Sequence, residues 1–163
     1  MAIGASAFGG CTTRDFYGME LVDNPKAQNV DSPTLLAFLE QDNTNEHRYW
    51  LPTSEEAMEI IDNPDWNGEP VGYVCIHFAH DLHNNAEAVG IRCAIVRIPE
   101  RGHICNAFET TDRGLLFVDV STELDSIAYE RGGVLVVDAK IKEGIGDSAM
   151  LTLGNPEDFE IEW

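Results

Sequence analysis

The sequence predicts an α+β fold in which helices pack on one face of an antiparallel sheet. In the first half of the chain, apolar residues recur at helical spacing, and in the second half they form short strand-like runs. Short turn sequences connect those runs, and strands joined by short turns pair in the antiparallel direction. A length of 163 residues with 44% apolar residues is sufficient for one domain with a single core.

Two helices are predicted before residue 63. The first begins at Asp31-Ser32-Pro33, where Ser32 is placed to cap the helix and proline suits its first turn. The second begins at Thr53 or Ser54 and runs through Ile60-Ile61, because a carboxylate three residues after its start completes a capping box.

A third helix is predicted from Cys75 to Val89. Gly90 follows it directly, at the position where a residue in the left-handed conformation commonly ends a helix. The side that faces the core is predicted from residues that recur at helical spacing: Cys75, Phe78, Ala79, Leu82, Ala86 and Val89. The polar residues of this helix fall mostly on its other sides: His77, His80, Asp81, Asn84 and Asn85.

Six strands are predicted in the second half of the chain. They cover residues 91–98, 103–110, 115–120, 126–129, 134–141 and 159–163. The tight turn Asp112-Arg113-Gly114 joins the second of these strands to the third. We expect residues 1–30 to form an N-terminal extension and residues 31–163 to form the folded domain.

The charge of the chain excludes two classes of partner. A net charge of −19, from 29 acidic and 10 basic residues, repels nucleic-acid phosphates and anionic membrane surfaces. Two explanations of the acidity stay open. One is a solvated surface suited to high salt, and the other is recognition of a basic partner. The scarcity of lysine favours the first. No apolar run approaches the roughly 20 residues of a membrane-spanning helix. As it stands the sequence predicts a cytoplasmic protein, or a secreted or cell-surface one if a leader was removed.

Cys75, His103 and Asp119 are the strongest candidates for chemistry. A thiol in the first turn of a helix lies at the positive end of the helix dipole, which favours the thiolate. An imidazole within hydrogen-bond reach stabilises that thiolate and later protonates a leaving group, and a carboxylate fixes the ring tautomer. A hairpin that turns near residues 112–114 brings His103 and Asp119 opposite each other within a residue or two. The sequence therefore predicts a catalytic triad with a thiolate nucleophile.

These residues lie in a pattern that is similar to a known family. The motif Cys75-x-x-Phe78-Ala79-x-x-Leu82, followed by Gly90-Ile91-Arg92-Cys93, resembles the core of the transglutaminase-like (papain-fold) cysteine enzyme superfamily. Gly102-His103 and Phe117-Val118-Asp119 then follow in the order in which that family carries its catalytic His and Asp. The resemblance covers residues 30–130, and the tract 81–87 looks like a little-characterised microbial and archaeal branch.

The resemblance implies both a fold and a reaction. The implied fold is a papain-like core over residues 31–163, with Cys75 as nucleophile, His103 as acid and base, and Asp119 as the residue that orients the ring. The implied reaction is acyl transfer through a thioester, in which a peptide or isopeptide amide is hydrolysed as in a cysteine protease. The implied substrate is a peptide or protein, and no cofactor is implied. Protein-glutamine transamidation is the alternative, and a further one is a non-catalytic member of the fold that binds peptides.

The sequence departs from the family pattern around the pocket. Cys105 stands where an aromatic residue usually follows the histidine, and Val120 stands where a proline often follows the aspartate. No glutamine lies shortly before Cys75 to serve as an oxyanion donor. Candidates for that role, besides the Cys75 backbone N–H, are Trp66, Asn67 and Tyr73.

A weaker alternative is a metal site on the third helix. His77 and His80 lie three residues apart, close enough to share a helix face, with Asp81 or Glu87 nearby. The same spacing is typical of a polar helix face in solvent, and the sequence holds no HExxH motif. We therefore predict no metal and keep His77 and His80 as the alternative ligands.

Overall fold

The computed structural model describes residues 11–14, 18–47, 49–64, 71–121, 135–138 and 158–163. Its helices are α1 (Ser32–Leu39), α2 (Ser54–Ile61) and α3 (Cys75–Ala88). Its strands are β1 (Cys11–Arg14), β2 (Glu20–Asp23), β3 (Ala94–Ile98), β4 (His103–Thr110), β5 (Gly114–Asp119), β6 (Leu135–Asp138) and β7 (Glu160–Glu162). All pairs of these strands are antiparallel, which confirms the α+β class. Within the described ranges, no helix has the length and apolar character that crossing a membrane requires.

The larger sheet has the strand order β6-β5-β4-β3-β7. The hairpin of β4 and β5 turns at residues 111–113 and enters β5 at Gly114, whose φ of 81° is easily adopted only by glycine. The predicted bounds of β4 are confirmed. The strand before β4 was predicted to start at Ile91. That start was wrong, because Ile91 pairs with Gln28 in an isolated bridge. The predicted strand at 126–129 lies outside the described residues.

A hairpin of β1 and β2 precedes the helices, and the sequence-based prediction missed it. Leu21 is buried, and the Val22 N–H donates to Oδ1 of Asn84 on α3 at 2.8 Å. Leu21 packs in one cluster with residues from α3 and the larger sheet: Ala79, Ile95 and Ile104. The hairpin escaped prediction because each strand has four residues and β2 buries a single side chain. The domain boundary after residue 30 stays a prediction.

The helix starts follow capping rules, with one correction. The capping box of α2 is confirmed, with the Thr53 side chain accepting from the Glu56 N–H and Glu56 accepting from the Thr53 N–H. The cap of α1 was predicted to be Ser32 and is Asp31, which accepts from the Thr34 N–H at 2.9 Å. Ser32 instead donates its hydroxyl to Asp112 at 2.6 Å, so it ties the helix start to the β4–β5 turn.

Helix α3 is the central element of the fold, because it packs against one face of the larger sheet. Its buried apolar side chains, Phe78, Leu82 and Ala86, share a core cluster with side chains from β4 and β5: Phe108, Leu116 and Val118. The Asn106 side chain on β4 also donates to the Ala79 carbonyl of α3 at 2.9 Å.

Two predictions about the sides of α3 were wrong. Val89 was predicted to face the core and is 64% exposed, because the helix ends at Ala88 and Val89 caps it. His80 was placed on a polar side and is 2% exposed. Gly90 has the predicted left-handed conformation, with φ of 85°.

Truncating the centre of the α3 interface tests this packing. Leu82 is 0% exposed, so we expect Leu82→Ala to lower the free energy of unfolding by about 3 kcal/mol through lost burial and a residual cavity. Val89→Ala on the same helix is the control, with an expected change below about 0.5 kcal/mol. Denaturant titration of both variants measures the difference, and equal effects would contradict the assigned burial.

Candidate active site

The backbone that leads into Cys75 is held by a short antiparallel bridge. The Trp50 N–H donates to the Tyr73 carbonyl, and the Tyr73 N–H donates to the Trp50 carbonyl, both at 2.8 Å. Gly72 permits this close approach, since its φ is 106° and a Cβ there would lie 2.8 Å from the Trp50 carbonyl oxygen. The first residue of α3, Cys75, therefore follows a segment of defined position.

The start of α3 is capped by a histidine. Val74 occupies the capping position and has no side-chain acceptor, and its N–H donates to Nδ1 of His77 at 3.1 Å. Burial lowers the pKa of His77, which favours the neutral ring that this bond requires. The His77 N–H donates to the Val74 carbonyl at 2.8 Å. Among the described residues, no acceptor is bonded to the N–H groups of Cys75 and Ile76, which belong to the first turn of α3.

Tyr73 lies in an aromatic stack beside this cap. Its ring stacks on His47 with centroids 4.4 Å apart and on His77 at 5.4 Å, and it meets Phe78 edge-on at 4.5 Å. Its hydroxyl donates to Oδ2 of Asp81. Burial, and then the hydrogen bond to Asp81, raise the pKa of Tyr73 well above its usual value, so the phenol keeps its proton. An oxyanion role for Tyr73 stays a prediction, and Trp66 and Asn67 lie outside the described residues.

His103 and Asp119 meet across the β4–β5 hairpin. Asn106 pairs with Val118 in this register, which places His103 and Asp119 diagonally on adjacent strands. His103 Nε2 donates to Oδ2 of Asp119 at 2.5 Å. The carboxylate is 2% exposed, and its other oxygen accepts the Ser121 N–H at 2.9 Å. The predicted contact between the two side chains is confirmed.

Cys75 completes a continuous line of polar contacts. Its partly buried side chain is close enough to His103 to contribute to the raised pKa of that ring, whose Nε2 is already bonded to Asp119. Burial opposes the charged form of His103, but hydrogen bonds and charges from Asp119 and Cys75 outweigh it and raise the pKa of His103 to about 10. His103 is therefore an imidazolium near neutral pH, which is the partner that a thiolate needs.

The other described thiols on this sheet are in different surroundings. Cys93 and Cys105 are 0% and 1% exposed, and burial raises the pKa of each well above its usual value. Both were predicted to be small core residues, and their burial is confirmed. Neither thiol has the exposure that a nucleophile requires.

Two residues that support the site were missed by sequence reasoning. Asn106, three residues after His103, joins β4 to α3 through the Ala79 carbonyl. Ser121 holds Asp119 through its backbone N–H, so the sequence carries no side-chain signal for it. The sequence signal for Asn106 was an amide between the apolar residues Ile104-Cys105 and Ala107-Phe108, where an unpaired polar group is costly.

The histidines of α3 do not assemble a metal centre in the described residues. There, no group of three or more His, Cys, Asp or Glu side chains is placed to hold an ion. His77 Nδ1 is used by the helix cap.

Comparison of the chain with protein-family models, curated proteins and solved structures gave no match. The resemblance to transglutaminase-like enzymes therefore stays a prediction that rests on the residues themselves. The geometry of the site brings together Cys75, His103 and Asp119.

The raised pKa of His103 predicts how stability depends on pH. Between about 6.5, the usual pKa of histidine, and about 10, unfolding releases the proton that the folded state retains. The stabilisation from His103 is thus complete below about pH 6.5 and declines as the pH rises to about 10. Denaturant titrations of Cys75→Ala and of Cys75→Ala/His103→Gln across this range measure it without the coupled titration of the thiol, and a constant difference between the two proteins would contradict the assignment.

The histidine cap is tested by a matched pair of variants at residue 77. His77→Ala removes the acceptor for the Val74 N–H and is expected to lower the free energy of unfolding by about 1 kcal/mol. Glutamine reaches back to the same N–H in a capping box, so His77→Gln should retain most of that stability. Equal losses in both variants would show that ring packing on Tyr73, rather than the cap, is what His77 contributes.

Proposed function

We propose that this protein is a cysteine-dependent acyl-transfer enzyme of the transglutaminase-like, papain-fold type, acting on amide bonds. The observation that carries the proposal is the placement of the Cys75 thiol, on the first residue of α3, beside His103, whose Nε2 bonds the buried Asp119 carboxylate. A thiol at a helix start beside an imidazolium is a nucleophile near neutral pH.

The reaction begins with attack by the Cys75 thiolate on the amide carbonyl carbon. A carbon–sulfur bond forms, and the carbonyl oxygen becomes an oxyanion that the Cys75 and Ile76 N–H groups are free to stabilise. His103 gives its Nδ1 proton to the amide nitrogen, the carbon–nitrogen bond breaks, and the amine leaves. A thioester on Cys75 remains.

The second half of the reaction releases the acyl group. The neutral His103 ring takes a proton from water, the resulting hydroxide attacks the thioester, and the carbon–sulfur bond breaks to give a carboxylic acid and the free thiolate. Asp119 holds the ring in one orientation through Nε2 in both halves. Hydrolysis is proposed first, because nothing in a chain of 163 residues indicates a second-substrate tunnel.

Two alternatives use the same geometry differently. An amine in place of water gives transamidation, for example of protein glutamine. A non-catalytic peptide-binding protein would have no need to keep the Cys75 sulfur beside His103, and the proximity of the two side chains favours the enzyme. The proposed substrate is a peptide or protein amide in each catalytic case.

Alkylation identifies the nucleophile. We expect iodoacetamide near pH 7 to modify Cys75 in the native protein and to leave Cys93 and Cys105 unmodified, because those thiols are buried. Peptide mass mapping in a Cys11→Ser background reads each site separately. His103→Ala should slow modification of Cys75 by about tenfold or more, because the thiolate loses its cation. Modification of Cys93 or Cys105 with none at Cys75 would end the nucleophile assignment.

Turnover tests the reaction itself. A library of peptide amides, with and without an added alkylamine acceptor, separates hydrolysis from transamidation by product mass. Activity in wild type and its loss in Cys75→Ala, with unchanged folding by circular dichroism, is the expected result. Labelling at Cys75 without turnover of any amide would favour the peptide-binding alternative.

A further inference from the structure

The β1–β2 hairpin has no part in the proposed reaction, yet it packs beside the first turn of α3. Leu21 on β2 is 5% exposed and shares a core cluster with one side chain each from α3, β3 and β4: Ala79, Ile95 and Ile104. Cys75 and Ile76, the first two residues of α3, pack against the same cluster. Leu21 therefore belongs to the packing that surrounds the end of α3 where the thiol lies.

The cluster of Leu21 joins the two elements that carry the reacting groups. Ala79 lies about one helical turn after Cys75, and Ile104 directly follows His103 in the chain. Because protein interiors are close-packed, the side chains of a shared cluster fix how closely the elements around it approach each other. The volume of Leu21 therefore contributes to the separation between the start of α3 and the start of β4.

Polar contacts fasten the hairpin to α3 along β2. The Val22 N–H donates to Oδ1 of Asn84 at 2.8 Å, and the His83 ring N–H donates to the Val22 carbonyl at 3.2 Å. Just beyond β2, the Asn24 side-chain amide donates to the Glu87 carbonyl at 2.8 Å, and the Glu87 carboxylate accepts the Asn24 N–H at 3.3 Å. His83 and Glu87 are each 5% exposed, and the proposed reaction uses neither of them. These bonds fix β2 along the helix and with it the place of Leu21.

We infer that Leu21, held in place by the β1–β2 hairpin, is a positioning residue that sets the distance between the Cys75 thiol and the His103 imidazole. It acts through the placement of α3 against β4 and not on the substrate. The inference rests on the proposed function, because it concerns the same thiol and imidazole. A displacement of reacting groups by about 1 Å can cost about a hundredfold in rate, so the loss of one buried side chain here is large enough to measure.

Alkylation of Cys75 tests this role without any need for turnover. In a Cys11→Ser background near pH 7, Leu21→Ala is expected to slow modification of Cys75 by iodoacetamide by about tenfold, because the thiol moves away from the imidazolium beside it. Leu21→Met conserves the volume and should restore most of the rate. Leu35→Ala removes a buried leucine from the core cluster that contains Leu82, and it should change the rate by less than about twofold.

A second pair of variants keeps the test decisive if Leu21→Ala does not fold. Asn84→Ala removes the acceptor for the Val22 N–H and loosens the hairpin, so it should slow the modification by about threefold. Asn85→Ala, at the next position of the same helix, removes contacts to the segment 42–44 instead and should leave the rate unchanged.

Nitrogen-15 NMR of the His103 ring gives a readout that a loss of stability alone does not move. Because Cys75 contributes to the charge that keeps this ring protonated, His103 in Leu21→Ala is expected to lose its proton at a lower pH than in wild type. Unmodified Cys93 and Cys105 identify the folded protein in each sample, since both thiols are buried.

The possible failures of the hairpin role and of the proposed function are distinct. An unchanged His103 titration in Leu21→Ala, an equal loss of rate in Leu35→Ala, or a rate that Leu21→Met does not restore would overturn the inference. Rapid modification of wild type that is unchanged in both Leu21→Ala and Asn84→Ala would refute the role of the hairpin and leave the proposed function standing. Modification of wild-type Cys75 at the slow rate of a free cysteine would contradict the proposed function, and this inference with it.

Discussion

The hydrogen bond between His103 and the buried carboxylate of Asp119 is the interaction on which the site depends. A carboxylate that is 2% exposed is costly unless it is paired, and Asp119 is satisfied on both oxygens, by His103 and by the Ser121 N–H. The bond between His103 and Asp119 requires the register of the β4–β5 hairpin. In that register Asn106 lies opposite Val118, and the turn enters β5 at Gly114. The same bond occupies Nε2, so the other ring nitrogen is the one that remains for chemistry.

The thiol lies beside the His103 ring because α3 is held at two places. Asn106 binds the Ala79 carbonyl from the strand that carries His103, so helix and imidazole share one support. The helix start is held by the Trp50–Tyr73 bridge and by the His77 cap, with the Tyr73 ring stacked between two imidazoles. A functional group on rigid elements with its own supporting contacts keeps its geometry without help from a ligand.

Local signals predicted most of the helices and the contact between His103 and Asp119. Capping residues, helical spacing and a short hairpin can each be recognised from a few neighbouring residues. The Thr53–Glu56 box, the glycine after α3 and the approach of His103 to Asp119 all follow from such signals. Interactions across long sequence separations were not readable. Ser32 binds Asp112, 80 residues away, rather than capping its own helix, and Ile91 pairs with Gln28 rather than extending β3. The β1–β2 hairpin packs on α3, and a short two-stranded hairpin needs such support, so its own residues carry too weak a pattern.

The protonation state of His103 is the property that most directly separates a reactive thiolate–imidazolium pair from a structural cluster. Nitrogen-15 NMR of the imidazole rings, with the His103 signals assigned by their loss in His103→Gln, measures it. With the pKa of His103 at about 10, both ring nitrogens are expected to carry protons at about pH 8, where an ordinary histidine is neutral. A neutral single tautomer of His103 at that pH would contradict the central claim.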